Sequence, residues 1–160
     1  MQLRIIGIGR LKKAPERELC ETYIKRFAHS ARPLGFGDLS VVEREESKKP
    51  TAEARKAEEA DAIGAHYVAG QNLIVLDETG DDMSSRALAD LLNGWKDDGV
   101  PCTTFVIGGP DGLAPEIRQS ATRIFRFGRM TWPHRLVRVM ILEQLYRSAT
   151  ILANHPYHRD

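Results

Sequence analysis

The sequence predicts an α/β protein, a parallel sheet with helices on both faces. Three observations carry this. Short apolar runs recur at Leu3-Arg4-Ile5-Ile6, Leu39-Ser40-Val41-Val42, Leu73-Ile74-Val75-Leu76 and Thr103-Thr104-Phe105-Val106-Ile107, as strands buried on both faces require. Segments with helical spacing separate them, the alternation expected of a parallel sheet. At 160 residues the chain can bury one good core, so residues 1–160 are expected to form a single domain.

The elements follow in order. Residues 3–9 are apolar and break at glycine, which reads as a buried strand. Leu19, Tyr23, Ile24 and Phe27 then recur at helical spacing over residues 15–29, and Pro33, Gly35 and Gly37 end that helix. A second strand covers 39–42. Residues 43–51 are charged and read as a mobile loop, and the Ala- and Glu-rich stretch beyond them predicts a helix up to Gly70 on propensity. The third strand spans 73–77. Ser84-Ser85 caps a helix with Leu88, Leu91, Leu92 and Trp95 on one face, stopped at Gly99. The fourth strand, 103–107, ends at Gly108-Gly109-Pro110-Asp111-Gly112. A short helix at 115–120 and a strand at 123–127 complete the alternation. The last helix is expected to start between Thr131 and Pro133, because threonine caps and proline is tolerated in a first turn, and to run to about residue 153.

Ligands of such sheets sit beyond the carboxyl ends of the strands. Leu76-Asp77, Gly108-Gly109 and Phe127-Gly128 are therefore the places to look. Glycines at 108, 109 and 112 permit close backbone approach to a ligand, although a tight turn alone explains them equally well. No Walker A sequence occurs, and Gly7-Ile8-Gly9 lacks a third glycine at Lys12, which disfavours phosphate-cradling cofactors and a nucleotide hydrolase.

Charge is divided unevenly. The chain carries a net +1, yet residues 113–160 hold eight arginines, no lysine and three acids, a local +5 that leaves −4 for the rest. A basic face of this kind most often meets nucleic acid, although arginines also pair with carboxylates or with a neighbouring subunit. No apolar run approaches the roughly 20 residues of a membrane span, and the N-terminus reads as a strand, not a signal peptide. Cys20 and Cys102 are far apart and in no metal-ligand spacing, which fits a reducing cytoplasm. His155 and His158 have i, i+3 spacing with only Asp160 as a third ligand, so no metal is expected.

Several side chains of the C-terminal stretch carry possible chemistry. Arg135 and Arg138 lie three apart on a shared side, where like charges call for an anion, an acid or a partner subunit. Glu143 and Arg147 are four apart and suited to an ion pair. Tyr157 and His158 can donate and accept protons, and Arg159 can hold a phosphate. Pro156 and the aromatic beside it suggest a docked segment.

The pattern Val75-Leu76-Asp77, Ile107-Gly108-Gly109-Pro110-Asp111-Gly112 and Met130-Thr131-Trp132-Pro133-His134, closed by Leu145-Tyr146-Arg147 and Pro156-Tyr157-His158, resembles the RlmH family. These are SPOUT-class methyltransferases of large-subunit ribosomal RNA, and the likeness covers essentially the whole chain. It implies a SPOUT-type α/β fold with a C-terminal trefoil knot, which ordinary chain rules argue against. It also implies a homodimer, S-adenosyl-L-methionine as methyl donor, and methylation of N3 of a pseudouridine in large-subunit rRNA within the ribosome. Carried onto this sequence, the cofactor pocket includes Leu76, Gly108, Phe127, Gly128, Arg129, Met130, Thr131 and Trp132. Tyr157 and His158 are the leading candidates for orienting the base and handling its proton, with Arg147 and His134 in support. Arg135, Arg138 and Arg159 are assigned to RNA, and the last helix to the dimer interface. A non-catalytic ribosome-binding factor is the alternative; binding of S-adenosylmethionine separates the two.

Overall fold

A computed structural model describes residues 1–67 and 70–158. Strands β1 (Gln2–Ile8), β2 (Leu39–Arg44), β3 (Asn72–Asp82), β4 (Cys102–Ile107) and β5 (Arg123–Arg126) form one sheet in the order β2-β1-β4-β3-β5. Every pairing is parallel. The connecting helices are α1 (Pro15–Ala31), α2 (Ala52–Gly64), α3 (Ser85–Asp97) and α4 (Pro115–Gln119), and α5 (His134–Leu152) follows β5.

Side-chain alternation sorts the core into two layers. Leu3 and Ile5 of β1 join Ile74, Phe105 and Phe125 in a cluster with Phe27 of α1, Leu92 of α3 and Leu145 of α5. Ile6 and Ile8 point the other way, with Val75 and Val106, onto Ala60 and Ile63 of α2 and Ile117 of α4. Helices therefore cover both faces, as the apolar runs predict. On α5, Ile141, Leu142 and Leu145 are fully buried, and each such side chain stabilises the packed state by about 2 kcal/mol. That packing fixes where the first turn of α5 lies.

Four local expectations are corrected. Residues 43–51 are fastened rather than loose. Glu43 and Arg44 extend β2, Glu59 accepts a hydrogen bond from the Ser47 amide at 2.9 Å, and Arg55 donates to the carbonyls of Lys49 and Pro50. The helix after this loop ends at Gly64, short of Gly70, and residues 68 and 69 lie outside the described set. The last helix begins at His134 with no side-chain cap. Thr131 does not cap it because its hydroxyl donates to Glu78 instead.

The fourth correction concerns β3, which runs five residues past Asp77. Leu76 and Asp81 both take Phe125 of β5 as their partner. Residues 77–80 consequently leave the ladder as an excursion at the carboxyl end of the sheet, a large bulge of the kind that re-aims side chains.

Candidate active site

The excursion forms one wall of a cavity of about 540 Å³ over the carboxyl ends of β3, β4 and β5. The loop after β4 supplies a second wall and the loop from β5 to α5 a third. Of the expected cofactor residues, Leu76, Gly108, Phe127, Gly128, Met130, Thr131 and Trp132 line it, and so does His134. Arg129 does not; it is exposed, and its charge helps hold the Asp82 carboxyl low, behind the hydrogen bond from Arg126. A Cβ on Gly108 would come within 2.9 Å of the Leu113 side chain, so the turn's own packing already demands that glycine.

Asp77, named in the sequence only as a strand end, and Thr79 and Arg118, which the sequence reading missed, supply much of the polarity. Asp77 accepts from the amide and hydroxyl of Thr79 at 2.9 and 2.6 Å, and Arg118 stands 3.8 Å from its other oxygen. Burial pushes the Asp77 carboxyl up, but the two Thr79 hydrogen bonds and Arg118 outweigh it and leave the pKa below the ordinary value. Arg118 also donates to the Thr79 hydroxyl. Across the mouth, the Trp132 indole N–H donates to the Phe127 carbonyl at 3.0 Å, closing the loop on itself.

His134, in the first turn of α5, is part of the same lining. Its Nε2 is 3.7 Å from the Glu46 carboxylate. Burial pulls the imidazole pKa below its ordinary value, Glu46 opposes this, and Arg138 and Arg135 reinforce it.

One turn later, Arg138 is fully buried, which corrects its assignment to RNA. Its guanidinium donates to Glu43 at 2.5 Å and to the Gly9 carbonyl at 2.8 Å, and it fills the space where a Cβ of Gly7 would stand. The acid partner that its spacing from Arg135 called for is thus Glu43, ninety-five residues away in the chain. Arg135 itself is exposed.

The C-terminal candidates gather elsewhere. Glu143 accepts two hydrogen bonds from Arg147, at 2.6 and 3.0 Å, and one from the Tyr157 hydroxyl at 3.0 Å. The Tyr157 ring stacks obliquely on Tyr146 with centroids 4.7 Å apart, and the Arg147 guanidinium lies over the Tyr157 ring, 5.0 Å from its centroid. Burial and then the bond to Glu143 push the Tyr157 pKa well above the ordinary phenol range. Arg147 also points Nη1 at His158 Nδ1, 3.3 Å away. The tail is docked, as Pro156 suggested, but none of Arg147, Tyr157 and His158 lines the cavity. Thirteen residues of α5 separate His134 from Arg147, about 20 Å along a helix. Arg159 lies outside the described residues. Among the described residues no group of three or more His, Cys, Asp or Glu side chains is placed to hold a metal ion, and no helix is long and apolar enough to cross a membrane.

A family model described as "Predicted SPOUT methyltransferase" matches residues 1–158. The chain belongs to the SPOUT methyltransferase family. It is 52% identical over 159 residues to a ribosomal RNA large subunit methyltransferase H of Bradyrhizobium diazoefficiens, covering 99% of both chains. A protein of the same name from Rhodopseudomonas palustris is 54% identical over the same share. Among solved structures, a methylase family protein of Neisseria gonorrhoeae superposes with a TM-score of 0.50 at 13% identity, over 99% of this chain and 86% of that one. This last likeness speaks to the fold alone.

The cavity of this SPOUT methyltransferase suits the cofactor of methyl transfer. Leu76, Ile107 and Phe127 offer an apolar slot for an adenine ring, while Asp77 and Glu78 offer acceptors to ribose hydroxyls or to the cationic end of S-adenosylmethionine. Arg118 and Lys56, on the same lining, suit its carboxylate.

Proposed function

We propose that this chain transfers a methyl group from S-adenosylmethionine to N3 of a pseudouridine in large-subunit ribosomal RNA, acting on the ribosome in the cytoplasm. The observation that carries the reading is the cavity over three strand ends, lined by apolar, acidic and basic groups, in a chain that matches ribosomal RNA large subunit methyltransferase H end to end. When bound, the cofactor supplies a methyl group already activated on a positively charged sulfur.

The protein's own task is to bind, align and desolvate. Leu76, Phe127 and Trp132 exclude water from the slot, and Asp77 and Glu78 favour a cationic ligand there. The exposed Arg129 and Arg135 hold RNA phosphates at the rim, and Arg159 is proposed for RNA on the strength of the family resemblance. Tyr157, oriented by Glu143, and His158, oriented by Arg147, meet the target base.

A homodimer reconciles these roles. The tail cluster of one copy lies too far along α5 to reach its own cavity, so we place the tail of a second copy at the mouth. Support comes from Met130, Trp132 and Leu136, apolar side chains 73%, 40% and 39% exposed around the start of α5, a patch suited to burial against another subunit. A trefoil knot in the C-terminal segment belongs to the same reading, on the strength of the family.

Incubation with labelled S-adenosylmethionine and free rRNA, isolated subunits or whole ribosomes, followed by mapping of the methylated nucleotide, tests the function. Transfer to one pseudouridine is expected; no transfer to any substrate refutes it. Sedimentation at micromolar concentration is expected to show a dimer.

A further inference from the structure

Methylation at N3 requires that the N3 proton leave, and three groups compete to receive it. The Tyr157 hydroxyl is spent as a donor to Glu143. His158 turns Nδ1 toward Arg147; a guanidinium only donates, so that nitrogen's lone pair is already engaged. His134 differs on both counts. It lines the cavity itself, and the group beside its Nε2 is an acceptor, the Glu46 carboxylate. An acid at Nε2 favours the tautomer protonated there and leaves the Nδ1 lone pair to accept a proton.

The contact is built into the backbone. Gly9, at the end of β1, has φ +88°, and a Cβ there would stand 2.8 Å from His134 Nε2 and 3.0 Å from Glu46 Oε1. A side chain would separate the two groups, so this glycine keeps them adjacent. Glu46 is placed in turn by the next residue, whose amide is anchored on Glu59.

We propose that His134 accepts the N3 proton and that Glu46 is the positioning residue that orients it. The inference rests on the methyltransferase reading above. The N3–H bond breaks as its proton moves to the imidazole. Its electron pair forms the N3–C bond, the C–S pair stays on sulfur as a neutral thioether, and the imidazolium returns the proton to water. Charged groups facing His134 are Glu46 from the loop after β2 and Arg135 and Arg138 from α5, the latter paired with Glu43; Lys56 of α2 shares the cavity wall. A pKa below the ordinary imidazole value keeps the ring neutral, and able to accept, at pH 7.

The test compares wild type with Glu46→Gln, an exposed change that leaves the fold intact, and with His134→Ala. Single-turnover methylation of ribosomes is followed against pH, and the His134 ring is titrated by NMR. Glu46 raises the imidazole pKa, so its loss lowers that pKa in the titration and moves the acid limb of the rate to lower pH by the same amount. The rate at pH 7.5 is expected to fall roughly tenfold in Glu46→Gln and on the order of a hundredfold in His134→Ala, with S-adenosylmethionine affinity kept in the first. An acid limb that stays put while the NMR pKa moves overturns the proton-acceptor role. An unmoved pKa overturns the role of Glu46, and so does lost affinity with the rate intact. Wild-type protein that methylates nothing sinks the functional reading itself, a result distinct from these.

Discussion

Arg55 and Asp111 meet in a two-pronged ion pair across fifty-six residues of chain, Nε to Oδ2 at 2.6 Å and Nη2 to Oδ1 at 2.9 Å. It fastens α2 to the loop that carries Gly108. Arg55→Ala is expected to weaken S-adenosylmethionine binding severalfold in calorimetry. The thermal midpoint should hardly move, because both side chains are partly solvated. An unchanged Kd would mean that the glycine loop keeps its shape unaided.

Arg138 presents the opposite balance. Removing its guanidinium leaves the Glu43 carboxylate with the Leu11 amide but no cation, and takes a donor from the Gly9 carbonyl beside the core. Arg138→Ala is expected to cost about 3–5 kcal/mol in urea unfolding, the range for breaking a buried ion pair from one side. A loss below about 1 kcal/mol, the scale of a surface ion pair, contradicts this placement.

Trp132 and Trp95 are the protein's two tryptophans. Trp132 lines the cavity, whereas Trp95 packs against the core shared by α1, α3 and α5. Adding S-adenosylmethionine should therefore change the fluorescence of the wild type and leave Trp132→Phe nearly silent. That variant also loses the bond to the Phe127 carbonyl, so its affinity should drop. A signal that survives in Trp132→Phe places the cofactor elsewhere.

Glu143 holds the tail through Tyr157 and Arg147. Glu143→Gln is expected to speed amide exchange at His155, Tyr157 and His158 and to slow methyl transfer, while S-adenosylmethionine binding by calorimetry stays as it was. Reduced cofactor affinity instead would mean that the tail supports the cavity of its own chain.

Acid is expected to destabilise the protein in two stages. His66, through burial and the nearby Arg44 and Arg4, and His134 have folded pKa values below the ordinary 6.5. The folded state then binds fewer protons than the unfolded chain, so stability falls as pH drops from about 6.5 toward those depressed values. Asp77, Asp82 and Asp111 also lie below the ordinary 3.8. Their stabilisation is complete above that value and disappears as pH falls through the folded pKa values. Urea midpoints from pH 8 to 3 check both stages, and His66→Gln should soften the first. A flat profile between pH 7.5 and 5.5 contradicts it.

The strands were legible because runs such as Ile5-Ile6 and Val75-Leu76 are apolar on both faces, and that pattern needs no knowledge of neighbours. The excursion of β3 was not, since Asp77-Glu78-Thr79-Gly80 is polar and resembles a turn that ends a strand. Most of the cavity's loop lining could be read from the rule that ligands sit at strand ends. The fate of individual charges could not. Arg135 and Arg138 look alike in sequence, and only Glu43 on a distant strand makes one a core residue and leaves the other in solvent. Glu143 and Arg147 announced their pairing through i, i+4 spacing, but nothing local indicated that Tyr157 would complete it.

The shared partner of Leu76 and Asp81 gives the sheet a form of slack. Phe125 is met on both sides of the excursion, so the ladder between β3 and β5 resumes at the position where it broke. A change of length within residues 77–80 is therefore expected to resize this wall of the cavity and to leave in place the pairings that β3 makes with β4 and β5 up to Leu76.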